Sequence, residues 1–215
     1  NNFLRKVFLY MVLGVAISFG TGIYLYKYNQ ELIFSLARYF NILGIAGVGM
    51  VLGLNFFLEK ISAGMARIMF VLYSLILGTI FSTIGFVYSP LAILYAFGTA
   101  LIIFVVMTIY GFMTKEDLSS YRTFFIVGLI SLIIMGFINM YLGVGPLYWI
   151  ETIAGIVIFT GLTAYDINRI KWESYQLANG DNETVEKMGI IEALELYLDF
   201  INLFLYLLRI FGRKK

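Results

Sequence analysis

A chain of 215 residues is short enough for one soluble domain, but 61% of it is hydrophobic and only 13% is charged. Soluble chains run at about 45–50% apolar and about 25% charged, so the bilayer has to serve as solvent here. There is no cysteine and no histidine. That excludes disulfides, thiolate zinc sites, Cys and Ser–His nucleophiles and the usual physiological proton switch. A net charge of +2 gives no basis for nucleic-acid binding.

Charge-free runs divide the chain into spans. Residues 7–26 form the first, between Lys6 and Lys27, and 39–58 the second, between Arg38 and Glu59. The 47 uncharged residues from Ile68 to Thr114 are too many for one helix. Ser89–Pro90 breaks them into helices over 68–88 and 91–114. Residues 123–142 form the fifth span, ended by Gly143, Gly145 and Pro146, and 147–170 the sixth. A span needs about 20 apolar residues, which all six supply.

The seventh segment, 190–211, is apolar but carries Glu192, Glu195, Asp199 and Arg209. Steps of three and four residues put these on one face with Asn202 and Tyr206. Such a helix either lies on the membrane surface or turns a polar stripe into a bundle, as pathway-lining helices do. The expected fold is therefore all-α, integral to the membrane, with seven transmembrane helices in a single domain covering 1–215.

Positive charges orient it. Arg5, Lys6, Lys60, Arg67, Lys115, Arg122, Arg169, Lys171 and Lys187 fall on one side. Lys27, Arg38, Arg209, Arg213, Lys214 and Lys215 fall on the other, so the N-terminus is expected in the cytoplasm. The basic tail opposes this assignment and suits a last helix that does not cross. The first apolar run is too long for a signal peptide and no A-x-A site closes it. The chain opens on Asn1 rather than Met, so native N-terminal residues are expected to precede it. The longest connection, 171–189, is expected to be a solvated loop around Asn179-Gly180-Asp181. Its Asp181, Glu183 and Glu186 lack EF-hand spacing, and the Asn182-Glu183-Thr184 sequon is inert in the cytoplasm.

Two carboxylates stand out. Asp166 lies near the cytoplasmic end of the sixth helix, with Arg169 three residues on as a local partner. Asp199 lies about ten residues into the seventh helix from the same side, with no cation within a turn. An isolated ionised carboxylate at that depth costs about 2.5–3.5 kcal/mol or more, so it has to be protonated or paired. Two carboxylates sharing a site do not both ionise easily, which makes Asp166 and Asp199 the candidate proton switch. Lys60, at the end of the second helix, is either a snorkelling anchor or a competing cation for an aspartate; Arg67 is the other basic candidate. Glu192, Glu195 and Asn202 extend the ion pathway, and Asp166 and Asp199 offer a hard cation such as calcium transient oxygen contacts.

The residues Ala193-Leu194-Glu195-Leu196-Tyr197-Leu198-Asp199-Phe200-Ile201-Asn202-Leu203-Phe204-Leu205 closely resemble the last-helix motif of the Bax inhibitor family, the transmembrane Bax inhibitor motif proteins. Tyr165-Asp166-Ile167-Asn168-Arg169-Ile170 is similar to the family's sixth-helix motif, and Ala96-Phe97-Gly98-Thr99-Ala100 to its fourth-helix opening. The resemblance implies helix seven at the centre, flanked by two three-helix layers. It implies a pH-sensitive calcium leak in the bacterial cytoplasmic membrane, with Asp166 and Asp199 as the paired aspartates. Lys60 falls where bacterial relatives often place Arg, and lacks its bidentate fork.

Other functions compete. A proton-coupled cation antiporter uses the same carboxylates. A regulatory membrane-interaction protein is suggested by death-suppressing relatives, though no partner motif is present. An intramembrane aspartyl protease also pairs two aspartates, but Leu196-Tyr197-Leu198-Asp199 lacks the glycines of GxGD. No enzymatic activity and no cofactor are expected, only lipid, protons and calcium ions as partners.

Overall fold

A computed structural model of the chain describes residues 2–212, which are helical throughout apart from short connections. The basic tail Arg213-Lys214-Lys215 and Asn1 lie outside the described residues. In chain order the helices are α1 (Asn2–Tyr28), α2 (Gln30–Ala37), α3 (Phe40–Phe57), α4 (Ala63–Phe81), α5 (Ile84–Val87), α6 (Pro90–Met113), α7 (Arg122–Leu142), α8 (Gly145–Gln176) and α9 (Asn182–Phe211). Among the described residues, six helical stretches are long and apolar enough to cross a membrane: Asn2–Tyr28, Phe40–Phe57, Ala63–Val87, Pro90–Met113, Leu118–Leu142 and Gly145–Asn179.

The breaks follow local chemistry. Pro90 opens α6, where its missing N–H costs nothing. Gly143 ends α7 in the left-handed conformation (φ 60°, ψ 31°), which an L side chain rarely adopts. The expected third span is interrupted. The hydroxyls of Ser82 and Thr83 donate to the carbonyls of Thr79 (2.6 Å) and Ile80 (2.7 Å), ending α4 before α5 begins. The connection after the first span also contains α2, capped by Asn29 accepting from the Leu32 amide at 3.4 Å.

The 171–189 segment departs most from expectation, because most of it is helix. α8 continues to Gln176, a 3-10 turn covers Leu177–Asn179, and α9 begins at Asn182. Asp181 accepts from the amides of Glu183 (3.0 Å) and Thr184 (2.9 Å), which caps α9 well before its apolar run. The turn at Asn179-Gly180-Asp181 is present, but as a hinge between two helices.

The chain divides into two compact units. One comprises the chain through Ser89 together with Ser174–Tyr197; the other comprises Pro90–Glu173 with the chain from Leu198 onward. Each therefore takes part of α9. No residue of α9 between Val185 and Arg209 is exposed, so a helix lying on the membrane with one face in water does not describe it. By contrast, α7 has a single buried side chain, Leu132, and presents Phe124, Ile133 and Phe137 outward, as a lipid-facing helix does.

In the first unit α1 and α4 pack through small residues. A Cβ on Gly78 would lie 2.7 Å from the Ser18 carbonyl oxygen and 2.6 Å from Thr21 Cβ. Ser18 Oγ donates to the Gly14 (2.9 Å) or Ser74 (3.0 Å) carbonyl and is hydrogen-bonded to the hydroxyl of Tyr197, itself fully buried. Close backbone approach and interhelical hydroxyls are what hold helices together where lipid removes the hydrophobic drive.

Gly78→Ala is expected to destabilise the protein by about 1–3 kcal/mol, because backbone atoms have to move. Gly49→Ala, with nothing within 4 Å of its added methyl, is expected to be neutral or slightly stabilising. Thermal unfolding of the two variants in one detergent checks the contrast.

Candidate functional site

Helices α8 and α9 run antiparallel within the second unit, and their contacts set a register. Near the start of α8, the Glu151 carboxylate accepts from Arg209 Nη1 at 3.0 Å. The guanidinium also lies over the rings of Tyr206 (4.8 Å) and Tyr148 (5.2 Å). One turn on, Gly155 lets the Tyr206 ring approach so closely that a Cβ would sit 2.5 Å from it. Phe159 then stacks on Tyr206 with centroids 6.0 Å apart.

Seven residues beyond Phe159 on α8 is Asp166, and seven residues back from Tyr206 on α9 is Asp199. Seven residues are about two turns, or about 10.5 Å along each axis, and return a side chain to nearly the same face. Both aspartates are buried, at 4% and 5% exposure. Each aspartate thus lies about two turns from the Phe159–Tyr206 contact on its own helix.

The local partner of Asp166 is present. Arg169 Nη1 lies 3.3 Å from its Oδ1, and Arg169 also reaches Glu173 at 3.7 Å and covers the Tyr165 ring. Two α8 side chains beyond it tie down the end of α6. Asn168, 1% exposed, donates to the carbonyls of Gly111 and Glu116 (3.3 Å each) and accepts from the Leu118 amide at 3.2 Å. Lys171 Nζ donates to the Thr114 carbonyl at 2.9 Å. Last-turn carbonyls lack partners within their own helix, so these two residues satisfy α6 from outside. That sets α6 against α8 where Gly111 meets Ala164 and Ile167. Sequence reasoning counted Lys171 only as a topological charge and gave Asn168 no role.

On α9, Asn202 turns back on its own helix, donating to the Leu198 carbonyl at 2.8 Å. Glu192 is buried (4%) and Glu195 half-buried. Among the described residues no three acidic side chains gather as a metal cluster would require.

The basic candidates lie in the first unit. Lys60 follows α3 with its ammonium 5.8 Å above the Phe57 ring. Arg67 reaches Glu186 at 3.4 Å, and Glu186 also pairs with Lys6 and accepts from the Tyr10 hydroxyl. Glu186, expected in a solvated loop, thus joins α1, α4 and α9. Burial alone raises its carboxyl, but the hydrogen bonds from Lys6 and Tyr10 and the charges of Lys6 and Arg67 outweigh that and hold it below its ordinary value of 4.5. No sequence signal links Lys6 to a glutamate 180 positions away.

A depressed carboxylate stabilises the fold above its unfolded value and loses that contribution as pH falls through the folded one. The Glu186 contribution is therefore constant at neutral pH and decays below 4.5. Glu186→Gln is expected to cost about 1–3 kcal/mol at neutral pH and to flatten the acid limb of stability. Thermal unfolding between neutral and acid pH measures both; an unchanged acid limb contradicts the assignment.

The family model for inhibitor of apoptosis-promoting Bax1 matches residues 1–215. A protein of Borreliella burgdorferi is 38% identical, with 100% of this chain and 93% of that protein covered. The inner membrane protein YbhL of Escherichia coli K12 is 34% identical over 100% of this chain and 93% of its own. A membrane protein of Streptococcus pyogenes serotype M6 is 33% identical over 99% and 93%. With a whole-chain family match, relatives in bacterial membranes and apolar helices of spanning length, the chain is a membrane protein of the Bax inhibitor family.

Proposed function

We propose that the chain is a pH-sensitive cation leak channel, for calcium, whose gate is a proton shared by Asp166 and Asp199. The observation that supports this reading is that α8 and α9, packed through Phe159 and Tyr206, each carry a buried carboxylate about two turns from that contact. A pair that holds one proton binds a cation differently from a pair that holds none, so proton uptake changes which conformer is favoured. The carboxylates give hard oxygen contacts suited to calcium, and Glu192 and Glu195 extend them along α9.

The reading includes seven crossings with a cytoplasmic N-terminus, in a single seven-helix domain with α9 at its centre between two three-helix layers. α9 has 30 residues, about 45 Å of helix against a hydrocarbon core of about 30 Å. Its burial along both faces supports a helix within the bundle. Of the two basic candidates, Arg67 is engaged by Glu186, which leaves Lys60 as the proposed counter-charge. Transport down a gradient, without coupling, distinguishes this reading from an antiporter, and the presence of flux without other proteins distinguishes it from a purely regulatory role.

Calcium flux into liposomes containing only this protein tests it across the neutral pH range. Wild-type flux is expected to depend on pH, whereas Asp166→Asn and Asp199→Asn should each flatten the profile to within about twofold. The double variant should add little, because the two residues titrate as one unit. Lys60→Met should move the midpoint and leave folding intact. A wild-type pH profile in both single aspartate variants contradicts the proposal.

A further inference from the structure

Thr108 differs from several helical hydroxyl residues of this protein. Inside a helix, Ser and Thr commonly donate to the carbonyl four residues back, and Ser18, Ser74, Thr79, Thr152 and Thr163 all do so. Thr108 Oγ1 is buried and makes no hydrogen bond, not even to the Phe104 carbonyl four residues back. A buried hydroxyl without a partner is unfavourable, and one kept in a native fold calls for an explanation.

Its position on α6 supplies one. Four residues earlier, Phe104 meets Phe200 edge to face at 5.9 Å, and Phe200 is the residue after Asp199. Three residues later, Gly111 meets the Ala164 carbonyl and Ile167, which bracket Asp166. Phe104, Thr108 and Gly111 share one face of α6. Thr108 therefore occupies the turn of α6 between the contact beside Asp199 and the contact beside Asp166.

We propose that the Thr108 hydroxyl is the third oxygen of the Asp166–Asp199 site, a neutral ligand for the divalent cation in transit. The assignment rests on the proposed cation pathway and adds a residue to it. α6 carries no acidic or basic side chain from Pro90 to Met113. The charged groups of the packed elements near this level are Asp166, Arg169 and Glu173 on α8 and Asp199 on α9, with Glu195 one turn earlier on that helix. Calcium collects about six to eight oxygens, of which two carboxylates give at most about four. A hydroxyl adds a ligand without adding charge, which suits a site that an ion has to leave as readily as it arrives.

Binding of radiolabelled calcium to the detergent-solubilised full chain, and calcium flux in liposomes at one fixed pH, test this with two variants. Thr108→Val keeps the shape and removes the oxygen; Thr108→Ser keeps the oxygen. Thr108→Val is expected to weaken binding and flux about tenfold, and Thr108→Ser to stay within about twofold of wild type. Thr108→Val should also unfold no earlier than wild type, because it removes an unsatisfied hydroxyl. Wild-type binding and flux in Thr108→Val overturns the assignment, as does equal loss in both variants, which marks a packing effect. If wild type binds calcium without passing it and Thr108→Val weakens that binding, the leak reading fails and the third oxygen stands. If the aspartate variants lose flux and Thr108→Val does not, the third oxygen fails alone. If wild type neither binds nor passes calcium, both fall.

Discussion

Burying charge in a medium that cannot solvate it is the constraint on which this protein turns. Several of its buried and half-buried carboxylates are held by opposite charges. Glu151 has Arg209, Glu186 has Lys6, Arg67 and Tyr10, and Asp166 has Arg169. Breaking such a pair leaves an uncompensated charge, which costs far more than the pair itself contributes. Buried ionisable groups are thus places where the fold and its protonation state are coupled, and the helices that carry them, α8 and α9, are the ones the functional reading depends on.

Close packing makes that coupling specific. Gly155 admits the Tyr206 ring, and the Phe159–Tyr206 stack below it fixes the rotation of α9 against α8. Gly111 lets α6 touch the α8 backbone, while Asn168 and Lys171 satisfy the carbonyls at the end of α6. A methyl group at either glycine would collide with its neighbour at 2.5–2.7 Å and force the contact to shift. The small residues and the polar clasps together fix how these apolar helices meet.

Much of this was legible in the sequence, because the bilayer leaves a coarse signal. Charge-free runs gave six spans, and Pro90 and Gly143 marked breaks where the helices do end and begin. The motif around Asp199 placed the chain in its family. The loop expected over 171–189 is helix because Asp181 caps α9 early, and Asp-x-x-Thr was a local signal that went unused. The split between α4 and α5 depends on two hydroxyls donating to carbonyls three residues earlier, which composition does not reveal. Glu186, Asn168 and the Arg209–Glu151 pair were out of reach for a different reason. Their partners lie 50 or more residues away, and only the packed helices bring them together.

The central claim is that Asp166 and Asp199 share one site, and a protein without native cysteine allows it to be tested directly. The double variant Asp166→Cys/Asp199→Cys, in membranes treated with a mild oxidant or a short bifunctional thiol reagent, reports whether the two positions meet. Phe159→Cys/Tyr206→Cys, two turns away on the same helices, is the positive control. Intramolecular cross-linking of the aspartate positions as efficient as the control is the predicted result. An aspartate-position variant that stays uncross-linked at every pH while the control closes would contradict the shared site.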